Sequence, residues 1–326
     1  MEQSERLARR AARARAVRRR RATALAALIV GVMAVVVAAS LAGGGGGSTD
    51  ERTARAPGAT PPRTRSAPRG GETARPAPSV PATAPGAHRA PREPVPILMY
   101  HVIDTPRPDT PLPELWVAPS DFSAQVHALA ARGYHGVTLQ QVWDAWHRGG
   151  LLPAKPIVFS FDDGYTGQYT HALPALRAVG WPGVLNLELR NLRDLHPERV
   201  KAMIAAGWEI DSHTISHADL TTLGPAALRV ELEQSRARLR HELGVPANFF
   251  CYPAGAYDPT VVAAVKRAGY LAATTTDSGF ARPQDTYVLA RVRVNGSDGP
   301  DGLVRKLATL AARPDAAPVP RGGGAA

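Results

Sequence analysis

The chain has a single cysteine, Cys251. One thiol excludes an internal disulfide framework, so stability must rest on a packed core. It lies in the apolar stretch Phe249-Phe250-Cys251-Tyr252, a setting that suits a small buried residue better than a nucleophile. The chain also lacks internal repeats and phosphate-cradling glycine loops, which removes solenoids and nucleotide-binding folds from consideration. Acidic residues are scarce at one end only. The first 94 residues carry seventeen arginines against six acids, which accounts for the whole formal charge of +11. Beyond them the two signs balance, and no basic patch with interleaved aromatics appears, so no nucleic-acid partner is expected.

The basic end is readable. Residues 1–21 hold nine arginines, and residues 22–42 form an uncharged run rich in Ala, Val and Leu. Twenty-one helical residues span about 31 Å, one hydrocarbon thickness. The positive flank predicts a cytoplasmic tail, a transmembrane anchor over 22–42 and export of the rest. The alternative is a cleaved signal ending near Ser40-Leu41-Ala42, giving a secreted protein. No cysteine follows the run, which argues against a lipoprotein anchor. Residues 43–94 begin with five glycines and continue in Pro, Ala, Arg and Thr, a composition that predicts a disordered linker. Residues 314–326 read as a disordered tail.

Between them, residues 95–313 alternate apolar strand-like runs with helix-like stretches. Strands are expected over 95–103, 157–162, 184–189, 249–252 and 270–275. Helices are expected from Ser120 to near Gly133, and over 170–179, 197–206, 225–243 and 259–268. The longest of these puts Leu228, Leu232, Leu239 and Leu243 on its apolar side. Such alternation predicts an α/β fold with helices covering a parallel sheet.

Two motifs carry the chemistry. Pro156-Ile157-Val158-Phe159-Ser160-Phe161 ends in Asp162-Asp163-Gly164, and about fifty residues later comes His213-Thr214-Ile215-Ser216-His217. Adjacent residues at a strand end point in different directions, so the two carboxylates can take different tasks. Histidines at i and i+4 are expected on one face of a helical turn. Two imidazoles and a carboxylate form a common three-ligand set for catalytic zinc, with a fourth position open. A second carboxylate beside them can serve as the base. Either motif alone is commonly a turn or a surface feature; together, each after an apolar run, they point to a metal-assisted hydrolase.

At these residues the chain resembles the polysaccharide deacetylases of the NodB-homology type, carbohydrate esterase family 4, over roughly residues 95–310. The resemblance implies an irregular (β/α) barrel of about seven parallel strands. It implies Asp162 as general base and Asp163, His213 and His217 as metal ligands, the metal being zinc with cobalt or nickel as options. The segment Phe250-Cys251-Tyr252-Pro253-Ala254-Gly255 is similar to the family's groove-wall motif, which makes Tyr252 and Pro253 substrate contacts, but it lacks the arginine that orients the base in many members. In Val288-Leu289-Ala290-Arg291-Val292-Arg293-Val294, the position where many members carry the acid histidine is Arg291, a candidate partner for Asp162. The stretch Ile97-Leu98-Met99-Tyr100-His101-Val102-Ile103 resembles the first strand of the subgroup acting on poly-N-acetylglucosamine, which makes His101 the candidate acid. A backbone N–H near Tyr165 is the candidate oxyanion donor. The implied reaction is metal-dependent removal of N-acetyl groups from an extracellular or cell-wall polysaccharide. The alternatives are a noncatalytic glycan-binding relative and a hydrolase of O-acetyl or other amide bonds.

Overall fold

A computed structural model describes residues 93–106, 110 and 112–312. The expected tail, anchor, most of the linker and the C-terminal segment therefore lie outside the described residues. No helix among the described residues is long and apolar enough to cross a membrane.

The strands, in chain order, are β1 (Ile97–Tyr100), β2 (Val102–Ile103), β3 (Trp116–Val117), β4 (His135–Gly136), β5 (Pro156–Asp163), β6 (Val184–Leu187), β7 (Glu209–Ser212), β8 (Phe249–Cys251), β9 (Ala272–Ser278) and β10 (Leu289–Arg293). Seven of them form a closed parallel ring, in the order β1-β10-β9-β8-β7-β6-β5 and back to β1. The closing pair sets Ile97 against Val158 and Tyr100 against Phe161. The barrel expected of the resemblance is thus present. β4 adds to the start of β5, and β2 pairs with β3 outside the ring. The single strand expected over 95–103 is split at His101, where the chain leaves the ring.

All eight residues of β5 are buried, as a strand covered on both faces requires. Ile157, Phe159 and Phe161 face the helices and pack with Phe122, Leu176 and Trp181. Tyr100 joins them, stacked at 5.5 Å on Phe161 and edge-on to Phe122 at 5.1 Å. Each such ring contributes roughly 1.5–3 kcal/mol through burial. The alternate residue Val158 packs with Ile97, Val184, Phe249, Ala272 and Leu289, one from each of six ring strands. That apolar layer fills the lower barrel, and the polar residues Ser160, Asn186 and Arg291 lie buried further along their strands.

The Pro119–Ala130 helix starts on a proline and buries Phe122, Val126 and Leu129, while Leu139–His147 starts on a Thr138–Gln141 capping box. The stretch expected as one helix over 225–243 runs from Pro225–Arg229 through a π turn, Val230–Gln234, into Ser235–Leu243. Its four leucines are all buried. A second π turn, Gln168–Ala172, opens the helix that follows β5. Both turns border the mouth of the barrel.

Candidate active site

The C-terminal end of β5 brings Asp162 and Asp163 to the mouth, beside the ends of β6, β7 and β8. Asp163 takes a left-handed φ of 76° and Gly164 one of 97°, so the chain turns sharply just after the strand. A Cβ at Gly164 would come within 2.6 Å of Leu187 Cδ1, which leaves glycine as the residue that fits. The turn aims the two carboxylates apart.

Asp162 points into the barrel and is 2 % exposed. Arg291 on β10 grips it with two bonds, Nη1 to Oδ1 at 2.7 Å and Nη2 to Oδ2 at 2.8 Å. Asn186 Nδ2 donates to the same Oδ1 at 2.8 Å. Oδ1 therefore has both lone pairs occupied, whereas Oδ2 keeps one free. Burial would raise the Asp162 pKa, but the charge and bonds of Arg291 override it and hold the carboxyl far below the usual range. Arg291 is fully buried, with Nε bonded to Thr275 O at 2.7 Å. Its Nη2 also reaches Cys251 Sγ at 3.3 Å, so the thiol fills space beside the clamp.

Asp163 faces the histidines. Its Oδ1 lies 3.3 Å from His213 Nε2 and 3.6 Å from His217 Nε2. His213 Nδ1 donates to Cys251 O at 2.8 Å, because the carbonyl can only accept, and this leaves Nε2 facing Asp163. The expected helical turn is not what joins the two rings. Residues 213–217 form an irregular loop in which Thr214 and His217 adopt left-handed φ values of 69° and 55°. The strained loop, rather than helical periodicity, sets the rings 4.8 Å apart.

These three residues fit a divalent cation. Oδ1 of Asp163 is buried, flanked by two imidazole nitrogens, and has no well-aligned hydrogen-bond donor among the described residues. Ligand atoms about 2.0–2.1 Å from a tetrahedral ion lie about 3.4 Å from one another. The observed 3.3 and 3.6 Å match that spacing. Burial would raise Asp163, but the His213 contact prevails and lowers it. Asp162, His213 and Cys251 also come within 4.8 Å of one another. That group is a poorer fit, because Asp162 is committed to Arg291 and Asn186, and His213 Nδ1 to a carbonyl.

His101 stands on the other side of Asp162, its Nε2 3.7 Å from Oδ2 and its side chain 13 % exposed. Its Nδ1 is buried without a partner among the described residues. Burial lowers its pKa, and the opposing pull of Asp162 and Asp163 does not restore it. Tyr165 is 40 % exposed at the mouth, and burial and the Asp163 carboxylate raise its hydroxyl well above the ordinary value. The expected contacts at Tyr252 and Pro253 need correction. Tyr252 is fully buried, packed on Phe250 and bonded to Tyr287 O at 3.0 Å, and Pro253 is buried beside it. The apolar run that suggested a groove wall is a core strand, so these side chains support the wall from behind.

Sequence reading missed several neighbours. Gln168, in the first π turn, bonds both His101 O and Asp162 O at 2.7 Å. Asn191 Nδ2 reaches Asp163 O at 3.1 Å and Glu188 Oε2 at 3.2 Å. Glu231, in the second π turn, binds the histidine loop. None falls within a motif, and the only available signal was a polar side chain inside an otherwise apolar helical stripe.

The polysaccharide deacetylase family model matches residues 150–273, which include both motifs. YxkH of Bacillus subtilis is 30% identical over 205 residues, covering 62% of this chain and 71% of that protein. The poly-β-1,6-N-acetyl-D-glucosamine N-deacetylase of Escherichia coli is 24% identical over 241 residues, covering 60% of this chain but only 36% of that enzyme. Among solved structures, the Streptococcus pyogenes deacetylase PplD in complex with acetate superposes with a TM-score of 0.61 at 25% identity, covering 66% of this chain and 98% of that one. With the ring of parallel strands and the grouped carboxylates and histidines, these likenesses identify the chain as a member of the polysaccharide deacetylase family, hydrolases of carbon–nitrogen bonds.

Proposed function

We propose that this protein removes N-acetyl groups from an N-acetylglucosamine-containing polysaccharide of the cell wall or surface, releasing acetate, and that it needs a divalent cation, zinc first among candidates. The observation that carries the reading is the division of labour at the end of β5. One carboxylate is turned toward two imidazoles, and the other is clamped by arginine with a single lone pair left open.

In this reading Asp163, His213 and His217 hold the cation. When bound, it polarises the acetyl carbonyl and makes water acidic enough to attack near neutral pH. Asp162 Oδ2 takes the proton of the attacking water, and Arg291 keeps that carboxylate ionised and aimed. His101 is held neutral by burial, so it can receive the proton gathered by Oδ2, 3.7 Å away, and deliver it to the departing amine. Hydroxyl and backbone donors near Tyr165 face the developing oxyanion. Products are acetate and a glucosamine unit carrying a new positive charge.

Residues 95–313 form the catalytic domain in this proposal. Residues 22–42 anchor it in the membrane, and residues 43–94 tether it on the outer side. The arginine-rich flank and the uncharged run support that topology.

The test is acetate release by the full-length chain from β-1,6-linked poly-N-acetylglucosamine, peptidoglycan and chitin oligomers, beside O-acetylated counterparts. Release from an N-acetylated polymer supports the proposal and names the substrate. Release from O-acetyl esters alone replaces it with an esterase. Sugar binding without release makes the protein a glycan-binding relative.

A further inference from the structure

The loop between His213 and His217 is held open by a residue far from it in sequence. The 225–243 helix carries a π turn at Val230–Gln234. One extra residue advances the helix face by about 100°. That shift leaves Glu231 and Ser235 both buried against the end of β7. Ser235 Oγ lies 2.9 Å from Ser212 Oγ, the residue just before His213. Glu231 Oε2 accepts from Ile215 N at 2.8 Å and Ser216 N at 3.1 Å, while Oε1 accepts from the Ser216 hydroxyl. One carboxylate thus takes three donors from the loop. The loop's carbonyls are held from the opposite side, Thr214 O by Leu189 N at 3.1 Å and Ile215 O by Arg190 N at 3.0 Å.

Such a clamp has work to do. Thr214 and His217 are both left-handed without being glycine, a conformation that costs free energy and survives only when its surroundings enforce it. His213 does not share this dependence, because Cys251 O fixes its ring directly. Among the described residues the His217 ring contacts Asp163 and the His213 ring, with no carbonyl of another strand behind it, and its side chain is 37 % exposed. Its backbone N–H reaches Thr214 Oγ1 at 2.9 Å, so its position follows the loop.

We propose that Glu231 is the positioning residue for His217: by clamping residues 215 and 216 it keeps His217 Nε2 facing Asp163, and it sets cation affinity through that histidine alone. This rests on the reading of Asp163, His213 and His217 as ligands. Support from a group behind a ligand is typically worth about 10–100-fold in metal affinity.

Zinc affinity of the metal-stripped full chain, measured by competition with a chromophoric chelator, tests it without reference to turnover. Glu231→Ala is expected to weaken zinc binding about 10–100-fold, with Glu231→Asp restoring part of the loss. In a His217→Ala background, adding Glu231→Ala is expected to cost less than about twofold, because the two residues act as one unit. Should Glu231→Ala fail to fold, Ser216→Ala removes one of the three bonds and is expected to show a smaller loss with the same dependence on His217. Unchanged affinity in the folded variant overturns the proposal, as does an equal loss with and without His217. Absence of zinc binding by the unmutated chain overturns the ligand reading itself, and the proposal with it.

Discussion

Asp162 and Asp163 close β5 at the mouth of the barrel, whereas Glu209 and Asp211 lie two strands away around the ring, in β7. Both pairs are buried carboxylates close enough to affect one another, yet their ionisation moves in opposite directions. The pKa values of Asp162 and Asp163 fall despite burial, because Arg291 and His213 supply positive charge and donors. Those of Glu209 and Asp211 rise, Asp211 to about 6, because burial dominates and the donors are neutral amides. Gln140 N donates to Glu209 at 2.8 Å and Phe249 N to Asp211 at 3.1 Å. Glu209 and Asp211 also bond one another, which favours a proton held between the two carboxyls. A cavity of about 300 Å³ opens beside the β7 pair, lined by Gln140, Trp208 and Asn248 among others. Partners, not burial, decide which acids stay charged: the β5 pair is ionised, as the proposed function requires, and the β7 pair is not.

The largest effect expected is at Asp162. Asp162→Asn should lower acetate release about 10²–10⁴-fold while zinc binding persists. Asp211→Asn should leave the rate within about twofold, and a comparable loss there would erase the distinction between the pairs.

Removing the arginine that clamps Asp162 comes next. Arg291→Leu leaves Asp162 buried and uncompensated, and should cost about 3–5 kcal/mol at neutral pH by urea denaturation. The sign depends on pH. Asp162 has a depressed pKa, so its contribution is fully present above the unfolded value of about 4 and is lost as pH falls below it. The deficit of the variant should therefore shrink on acidification.

His101→Asn should reduce turnover about 10²-fold without changing zinc affinity. An unchanged rate would show that this ring only packs beside Asp162.

The smallest effect is a pH slope from Glu209 and Asp211. Its pKa values are raised, so its stabilising protons are fully bound below the unfolded values near 4 and are lost as pH rises through about 6. Thermal unfolding between pH 4.5 and 8 should reveal a contribution of roughly 1–3 kcal/mol declining with pH. Asp211→Asn should flatten it; an unaltered slope would place the titration elsewhere.

Much of the site could be read from the chain because its key groups sit in two short motifs, each after an apolar run. Asp162 and Asp163 were legible as two carboxylates ending the apolar run of β5, and the α/β fold from the alternation of runs. Arg291 came into view through the resemblance, as the residue standing where many members carry a histidine. What stayed hidden depends on long-range register. Asn186 meets Asp162 only because β6 pairs with β5, setting Asp162 against Asn186. Glu231 reaches its loop through a π turn that no periodicity announces. The histidine spacing suggested a helical turn, but tertiary bonds to Glu231 and Leu189 hold a left-handed loop instead. Tyr252 read as a groove residue because its segment resembles the family's groove-wall motif, although its neighbours Phe250 and Tyr270 enclose it.

The central claim is that one aspartate of the adjacent pair holds the cation and the other does not. Zinc content and acetate release, measured together on Asp162→Asn and Asp163→Asn, test it most directly. The account predicts stoichiometric zinc without acetate release for Asp162→Asn, and loss of both for Asp163→Asn. Loss of zinc from Asp162→Asn, or acetate release by it at the unmutated rate, would contradict it.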